Sequence, residues 1–150
     1  MKLKKFSILI STYNNLKYLQ ICLNSIKKNS LFKSHEIIIH INDGSDGTLD
    51  YIKRKNFLYS YSKKNIGLCS SINNASKKAN TNLLIYSHDD MYFCPGWDYH
   101  LSKEVNSVKT DKFYFSASMI EPNGGHIKFN CGNTFKDFDE KKLLCNLSKL

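Results

Sequence analysis

One hundred and fifty residues provide for one domain and leave no room for two full-sized ones. With 41% hydrophobic residues the chain can build a packed core, which excludes wholesale disorder, and no apolar run approaches the ~18 residues of a membrane-spanning helix. The balance of 22 Lys plus Arg against 13 Asp plus Glu, net +9, suits phosphate, an anionic membrane face or nucleic acid, but only Arg54 among the cations offers bidentate contact to phosphate or bases.

The basic start Met1-Lys2-Leu3-Lys4-Lys5 is charged like a signal peptide. The apolar run behind it ends at Ile10 without a small-residue cleavage site, so it reads as a first strand, Phe6 to Ile10. Leu16, Leu19, Leu23 and Ile26 then recur at helical spacing behind Asn14 or Asn15 as N-cap, and Lys27 and Lys28 suit the helix C-terminus. Glu36 to Ile41 is too continuously apolar for a strand with one wet face, and predicts one covered on both sides. A turn cluster from Asn42 to Gly47 precedes a short helix from about Thr48 to Lys55, and Phe57 to Tyr61 makes a third strand. Asn65 is the expected cap of a helix whose buried stripe is Leu68, Ile72, Ala75 and Ala79. Leu83 to Tyr86 forms a fourth strand, and Trp97, Leu101, Val105 and Val108 mark another helix. Strands separated by helices at this spacing imply βαβ units and a mainly parallel sheet. After Thr110 the rhythm changes: Phe113 to Ser118 alternates like a strand, Ile127 to Asn130 is its expected partner across the turn Asn123-Gly124-Gly125, and Phe135 to Leu150 is loosely helical.

The five cysteines, Cys22, Cys69, Cys94, Cys131 and Cys145, are odd in number, widely spaced and free of any CxxC pair. They predict free thiols in a reducing cytosol, neither a disulfide framework nor a zinc site, with Cys22, Cys69 and Cys94 in or near the core. Lysine pairs at 27–28, 63–64, 77–78 and 141–142 are scattered and mostly near helix ends, and sixteen asparagines point to compositional drift. Nucleic acid is therefore not the expected partner.

In an open parallel sheet ligands bind outside the carboxyl ends of the strands. Three such ends carry polar clusters: Ser11-Thr12-Tyr13-Asn14, Asn42-Asp43-Gly44-Ser45-Asp46 and His88-Asp89-Asp90. A dinucleotide fingerprint, GxGxxG, and a P-loop, GxxxxGK, are both absent. Adjacent carboxylates at a strand end repel one another, and a hard divalent cation relieves this; capping of the next turn is the other reading of Asp89 and Asp90. Asp43 serves either an Asx-turn or a ligand N–H, Asp46 reads as a cap, and Tyr13 offers a face for stacking or for packing.

These clusters resemble the nucleotide-sugar-binding half of family 2 glycosyltransferases of the GT-A fold. The likeness runs from Phe6–Asn14 through Ile41–Thr48, Asn65-Ile66-Gly67-Leu68 with Asn73, Ser87–Met91 and Pro95-Gly96-Trp97, and covers roughly residues 5 to 105. It implies a three-layer, Rossmann-like α/β fold with a mainly parallel central sheet flanked by helices. Ser11 and Tyr13 would line the pocket for the base of a donor, and Asp43 would accept from the base N–H, which fits uracil. Asn65 and Gly67 would shape the pocket wall. Asp89 and Asp90 would stand for the DxD motif, Asp89 nearer the ribose and Asp90 on a Mn²⁺ or Mg²⁺ ion; His88 receives no role. The implied reaction is metal-dependent transfer of a sugar from a nucleoside-diphosphate sugar, a UDP-sugar by the base contact, to a hydroxyl of a glycan or other glycoconjugate. A catalytically incomplete sugar-nucleotide-binding domain or fragment, needing a partner chain or a missing C-terminal part, is the alternative. No general base is assigned: among the late acids, the Asp137-Phe138-Asp139-Glu140 run reads as a solvated helix start.

Such domains are generally longer than 150 residues. The expectation is thus one domain over 1–150, with a donor-binding half over about 5–108 and the start of an acceptor side over 109–150, short or truncated there. The expected location is cytoplasmic, with the lysine excess suited to peripheral contact with an anionic membrane face.

Overall fold

The computed structural model describes residues 3–150; Met1 and Lys2, the start of the basic N-terminal stretch, lie outside the described residues. The chain divides into two compact units, the first ending at Val105 and the second covering Asn106–Leu150. Among the described residues, no helix is long and apolar enough to cross a membrane.

The first unit is built from β1 (Ser7–Tyr13), α1 (Leu16–Asn29), β2 (Glu36–Asn42), α2 (Thr48–Arg54), β3 (Leu58–Ser62), α3 (Leu68–Ser76), β4 (Leu84–His88) and all but the last two residues of α4 (Trp97–Ser107). The four strands form one parallel sheet in the order β3-β2-β1-β4. Ile8 of β1 pairs with Ile37 on one side and Ile85 on the other.

Alternation along the strands divides the apolar run of β2 between two faces, as the period of two requires. Ile39 and Ile41, with Ile8 and Ile10 of β1, pack against Leu19, Cys22, Leu23 and Ile26 of α1 and Ile52 of α2. Leu9 and Ile38 face the other way, onto Ala75, Ile72 and Ala79 around α3. The α3 stripe differs from the expected one at its start: Leu68 is exposed, and the buried positions are Ser71 and Ala75. Asn65 is not the cap of this helix. Gly67 takes that position with φ +79°, and Asn65 Oδ1 accepts from its N–H at 2.9 Å, an Asx-turn that leads the chain into the helix. Cys69 also departs from expectation: it is exposed, whereas Cys22 is fully buried and Cys94 partly so; all five cysteines are free.

Polar groups fasten the elements. Glu36, at the head of β2, accepts from Lys5 Nζ (2.8 Å), Ser7 Oγ (2.6 Å) and the backbone N–H of Asn80 (2.9 Å). Asp98, fully buried at the start of α4, accepts from the N–H groups of Leu31 (3.0 Å) and Phe32 (2.7 Å) and pairs with His35 Nε2 (3.1 Å).

The second unit contains a short pair, β5 (Ile120–Glu121) and β6 (Ile127–Lys128), then α5 (Glu140–Asn146) and a 3₁₀ turn, Leu147–Lys149. The expected strand Phe113–Ser118 does not form; the pairing falls at Ile120–Glu121. Alternation marks a strand only where another strand takes its backbone groups, and here Phe113 and Phe115 contact each other instead, with ring centroids 5.2 Å apart. Asp139 caps α5 by accepting from the N–H of Lys142 at 2.8 Å. Asp137 accepts from the N–H groups of Asn133 (2.9 Å) and Thr134 (2.7 Å) in the preceding turn.

Candidate functional site

The order β3-β2-β1-β4 places a topological switch beside β1: the chain winds outward to β2 and β3 on one side and returns to β4 on the other. At such a point the loops leaving neighbouring strands diverge and open a crevice at their carboxyl ends. A cleft of about 340 Å³ lies there. Ser11 and Tyr13 from β1, Asn65 and Gly67 from the turn before α3, and Asp89 after β4 all line it. Three further amides join them: Asn14, Asn15 and Asn42.

The elements hold these groups from beneath. Asn14 adopts φ +47° and Asp43 φ +60°, a left-handed backbone that Asn and Asp tolerate better than other non-glycine residues. Asn14 Nδ2 donates to Asp43 Oδ2 at 2.9 Å, and Ser45 Oγ donates to the same oxygen at 3.2 Å. Asp43 itself is absent from the cleft lining; it is joined to the lining through Asn14. Asp46 has the capping part expected of it: Oδ1 accepts from the N–H of Thr48 (3.0 Å) and Oδ2 from that of Leu16 (2.9 Å), so it serves the starts of both α2 and α1. Burial works to raise its pKa, but these donors outweigh it and the net shift is downward.

Asn15 stands at the N-cap of α1, yet its side chain makes no cap hydrogen bond. It donates across the cleft to Asp89 Oδ1 at 3.1 Å. Asp89 is half-buried and its pKa is raised, first by burial and further by the charge of Asp90, against the lowering effect of the Thr12 and Asn15 side chains. Asp90 beside it is exposed. His88 turns to Tyr86 instead, with Nε2 2.6 Å from the phenol oxygen. Beneath the turn, burial and then the charges of Asp89 and Asp90 push the Cys22 thiol up to about 12, so it is a packing group and not a nucleophile.

The segment after the acids is pinned to the end of α1. Phe93 N–H donates to Ser25 Oγ (2.9 Å), Asn29 Nδ2 to the Phe93 carbonyl (2.6 Å), Gly96 N–H to the Asn29 carbonyl (2.9 Å) and Trp97 Nε1 to Ser30 Oγ (3.0 Å). The acid turn is therefore mounted on the rigid core.

Among the described residues lining the cleft, Asp89 is the one formal charge, and no lysine or arginine is among them. Nor, among the described residues, do three or more His, Cys, Asp or Glu side chains form a ready-made metal cage. Two adjacent carboxylates whose charges oppose one another fit a hard cation that takes its other ligands from phosphate and water.

Asn14, Asn15 and Asn42 are lining amides that the sequence did not single out as ligand groups. Their signal was a polar amide at a strand end, which reads equally as a cap or a turn residue.

The sequence signature of the family described as Glycosyl transferase family 2 matches residues 7–144. The chain belongs to this family. Solved structures agree with the fold of a family 2 glycosyltransferase. TarS 1-349 from S. aureus is similar with a TM-score of 0.61 and 25% identity, over 69% of this chain and 32% of that one. The same protein in complex with UDP gives a TM-score of 0.53 and 24% identity, over 68% and 31%. The mannosyltransferase PcManGT from Pyrobaculum calidifontis, in complex with GDP-Man and Mn²⁺, gives 0.57 and 15%, over 68% and 32%. The chain thus spans about a third of the length of these solved proteins. Comparison with curated protein sequences gives no match.

Proposed function

We propose that this family 2 glycosyltransferase binds a nucleoside-diphosphate sugar, a UDP-sugar in the first instance, in the cleft of its first unit and transfers the sugar to a hydroxyl of a glycan or other glycoconjugate with the help of Mn²⁺ or Mg²⁺. The observation that carries the reading is the cleft at the β1/β4 switch, lined by neutral amides and hydroxyls with Asp89 of the acid pair in its wall. The family supports transfer, and the bound UDP of one structural neighbour and the GDP-Man and Mn²⁺ of another support the donor and metal classes.

The roles follow from chemistry. Tyr13, with half its surface exposed at the cleft mouth, stacks on the base. Asp43 accepts from the base N–H while Asn14 fixes its carboxylate, and Asn65 and Gly67 form the opposing wall. Asp89 sits toward the ribose, held by Asn15, and Asp90 with Asp89 would hold the metal. A donor diphosphate brings negative charge to a cleft whose only formal charge is negative, so the pair needs a cation between them. When bound, that cation would neutralise the charge growing on the departing phosphate. Residues 109–150 are proposed as the beginning of the acceptor side. The cytoplasm, where the lysine-rich surface meets an anionic membrane face, is the proposed setting.

The test is release of free nucleoside diphosphate from a panel of nucleotide sugars with Mn²⁺ and glycan acceptors. The proposal expects UDP release that chelation abolishes. Donor binding with no release would favour the sugar-nucleotide-binding reading, and no binding of any donor would sink both.

A further inference from the structure

We infer that Asn42 is the positioning residue that sets the nucleoside end of this cleft, and that it must be a neutral amide to do so; the inference rests on the donor reading above. Asn42 ends β2 with 2% of its surface exposed. Its Nδ2 donates to Ser71 Oγ (3.0 Å) and the Thr12 carbonyl (3.3 Å) and reaches Ser11 Oγ at 3.4 Å. Its Oδ1 accepts from the backbone N–H of Ile66 (3.0 Å) and from Ser62 Oγ (3.1 Å).

The partners fix the amide's orientation. A backbone N–H can only donate, so the atom facing Ile66 is the oxygen; a carbonyl can only accept, so the atom facing Thr12 is the nitrogen. The two ends of one side chain therefore hold opposite walls of the cleft. The nitrogen holds the end of β1, where Ser11 and Tyr13 are borne. The oxygen holds Ile66, between Asn65 and Gly67. Ser71 closes the loop by donating to the Gly67 carbonyl at 2.6 Å, which leaves its oxygen to accept from Asn42. A buried amide with this many partners is satisfied in one arrangement only, so it fixes the separation of the walls that grip the nucleoside.

A carboxylate of the same shape would keep the contacts to Ile66 and Ser62 but turn a lone pair onto the Thr12 carbonyl and place charge under the donor. Asn42→Asp at pH 8 is expected to weaken uridine binding, followed by NMR titration, by about tenfold. The gain in UDP affinity on adding Mn²⁺ should stay as in wild type. Lowering the pH should restore uridine binding relative to wild type, because a protonated carboxyl regains the O–H that Thr12 requires; a general loss of structure would also remove the Mn²⁺ gain. Unchanged uridine affinity at pH 8, or a loss that pH does not reverse, overturns the inference while donor binding stands. Wild type that binds neither uridine nor UDP overturns both. If Asn42→Asp does not fold, Ser71→Ala takes its place: a loss of about threefold in uridine affinity is expected, and wild-type affinity overturns the inference.

Discussion

Asp43 shows how much a single residue's part depends on partners far away in sequence. At the end of β2 it reads as a direct contact to a base, yet its carboxylate is engaged by Asn14, which itself lines the cleft. Asp43→Ala is expected to lower UDP affinity by about tenfold, through loss of the charged acceptor and the freed Asn14, while the response to Mn²⁺ persists. Isothermal titration with and without metal measures both quantities, and equal loss of both would refute the assignment. Ser11, Tyr13, Gly67 and Asp89 were legible as cleft-lining positions because each lies at or just past the carboxyl end of a strand or opens a helix. Asn15 was not: its partner Asp89 lies 74 residues on, and local sequence shows only a capping residue. Gly44 next to Asp43 is required in both conformation and space. It has φ +76°, and a Cβ there would lie 2.8 Å from Ile41 Cγ2. Gly44→Ala should cost about 1–3 kcal/mol in urea unfolding.

Among elements, the four strands and their helices followed from apolar periodicity, strongest in β1 and β2, which are buried along most of their length. The anchoring of α4 did not. In the sequence Asp98 is merely another acid past the motif, but in the fold it is buried, and backbone N–H groups of the α1–β2 connection and His35 converge on it. Burial works to raise its pKa, yet these donors hold it below the usual carboxylate value. Asp98→Ala removes the shared acceptor and should cost about 2–4 kcal/mol in urea unfolding; a change within experimental error would show that the helix is held by its apolar contacts alone. Phe113–Ser118 failed in the opposite direction, because alternation without a neighbouring strand is insufficient for a strand.

For the molecule as a whole, stability is expected to fall in two separate acid windows. His35 Nδ1 accepts from the Phe6 N–H at 3.2 Å, so its Nε2–H donates to Asp98 and the ring is satisfied when neutral. Burial pushes its pKa below the ordinary 6.5, against the opposing pull of Asp98, and burial does the same to His40 between Ser60 and Ser62. A histidine with a depressed folded pKa binds protons more readily unfolded. Its neutral packing is therefore fully effective above pH 6.5 and is undermined as the pH falls below that value. Glu36 acts lower: hydrogen bonds from Lys5 and Ser7 hold it at about 2 against an ordinary 4.5, so its contribution is complete above pH 4.5 and disappears as the pH falls toward 2. Urea midpoints should decline from pH 7 to 5.5, less steeply in His35→Phe, and Glu36→Gln should flatten only the lower window. A wild-type slope retained in His35→Phe would assign the upper window to His40.

The net charge of +9 offered three partners at the level of composition, and among the described residues no lysine or arginine lines the cleft. The proposed function assigns the neutralising of a donor there to a metal at the acid pair. Isothermal titration of UDP with and without Mn²⁺, in wild type and Asp90→Ala, tests it most directly. The account predicts that Mn²⁺ tightens UDP binding to wild type by about tenfold or more and that Asp90→Ala loses this gain while keeping its metal-free affinity. An equal gain from Mn²⁺ in both proteins would contradict it.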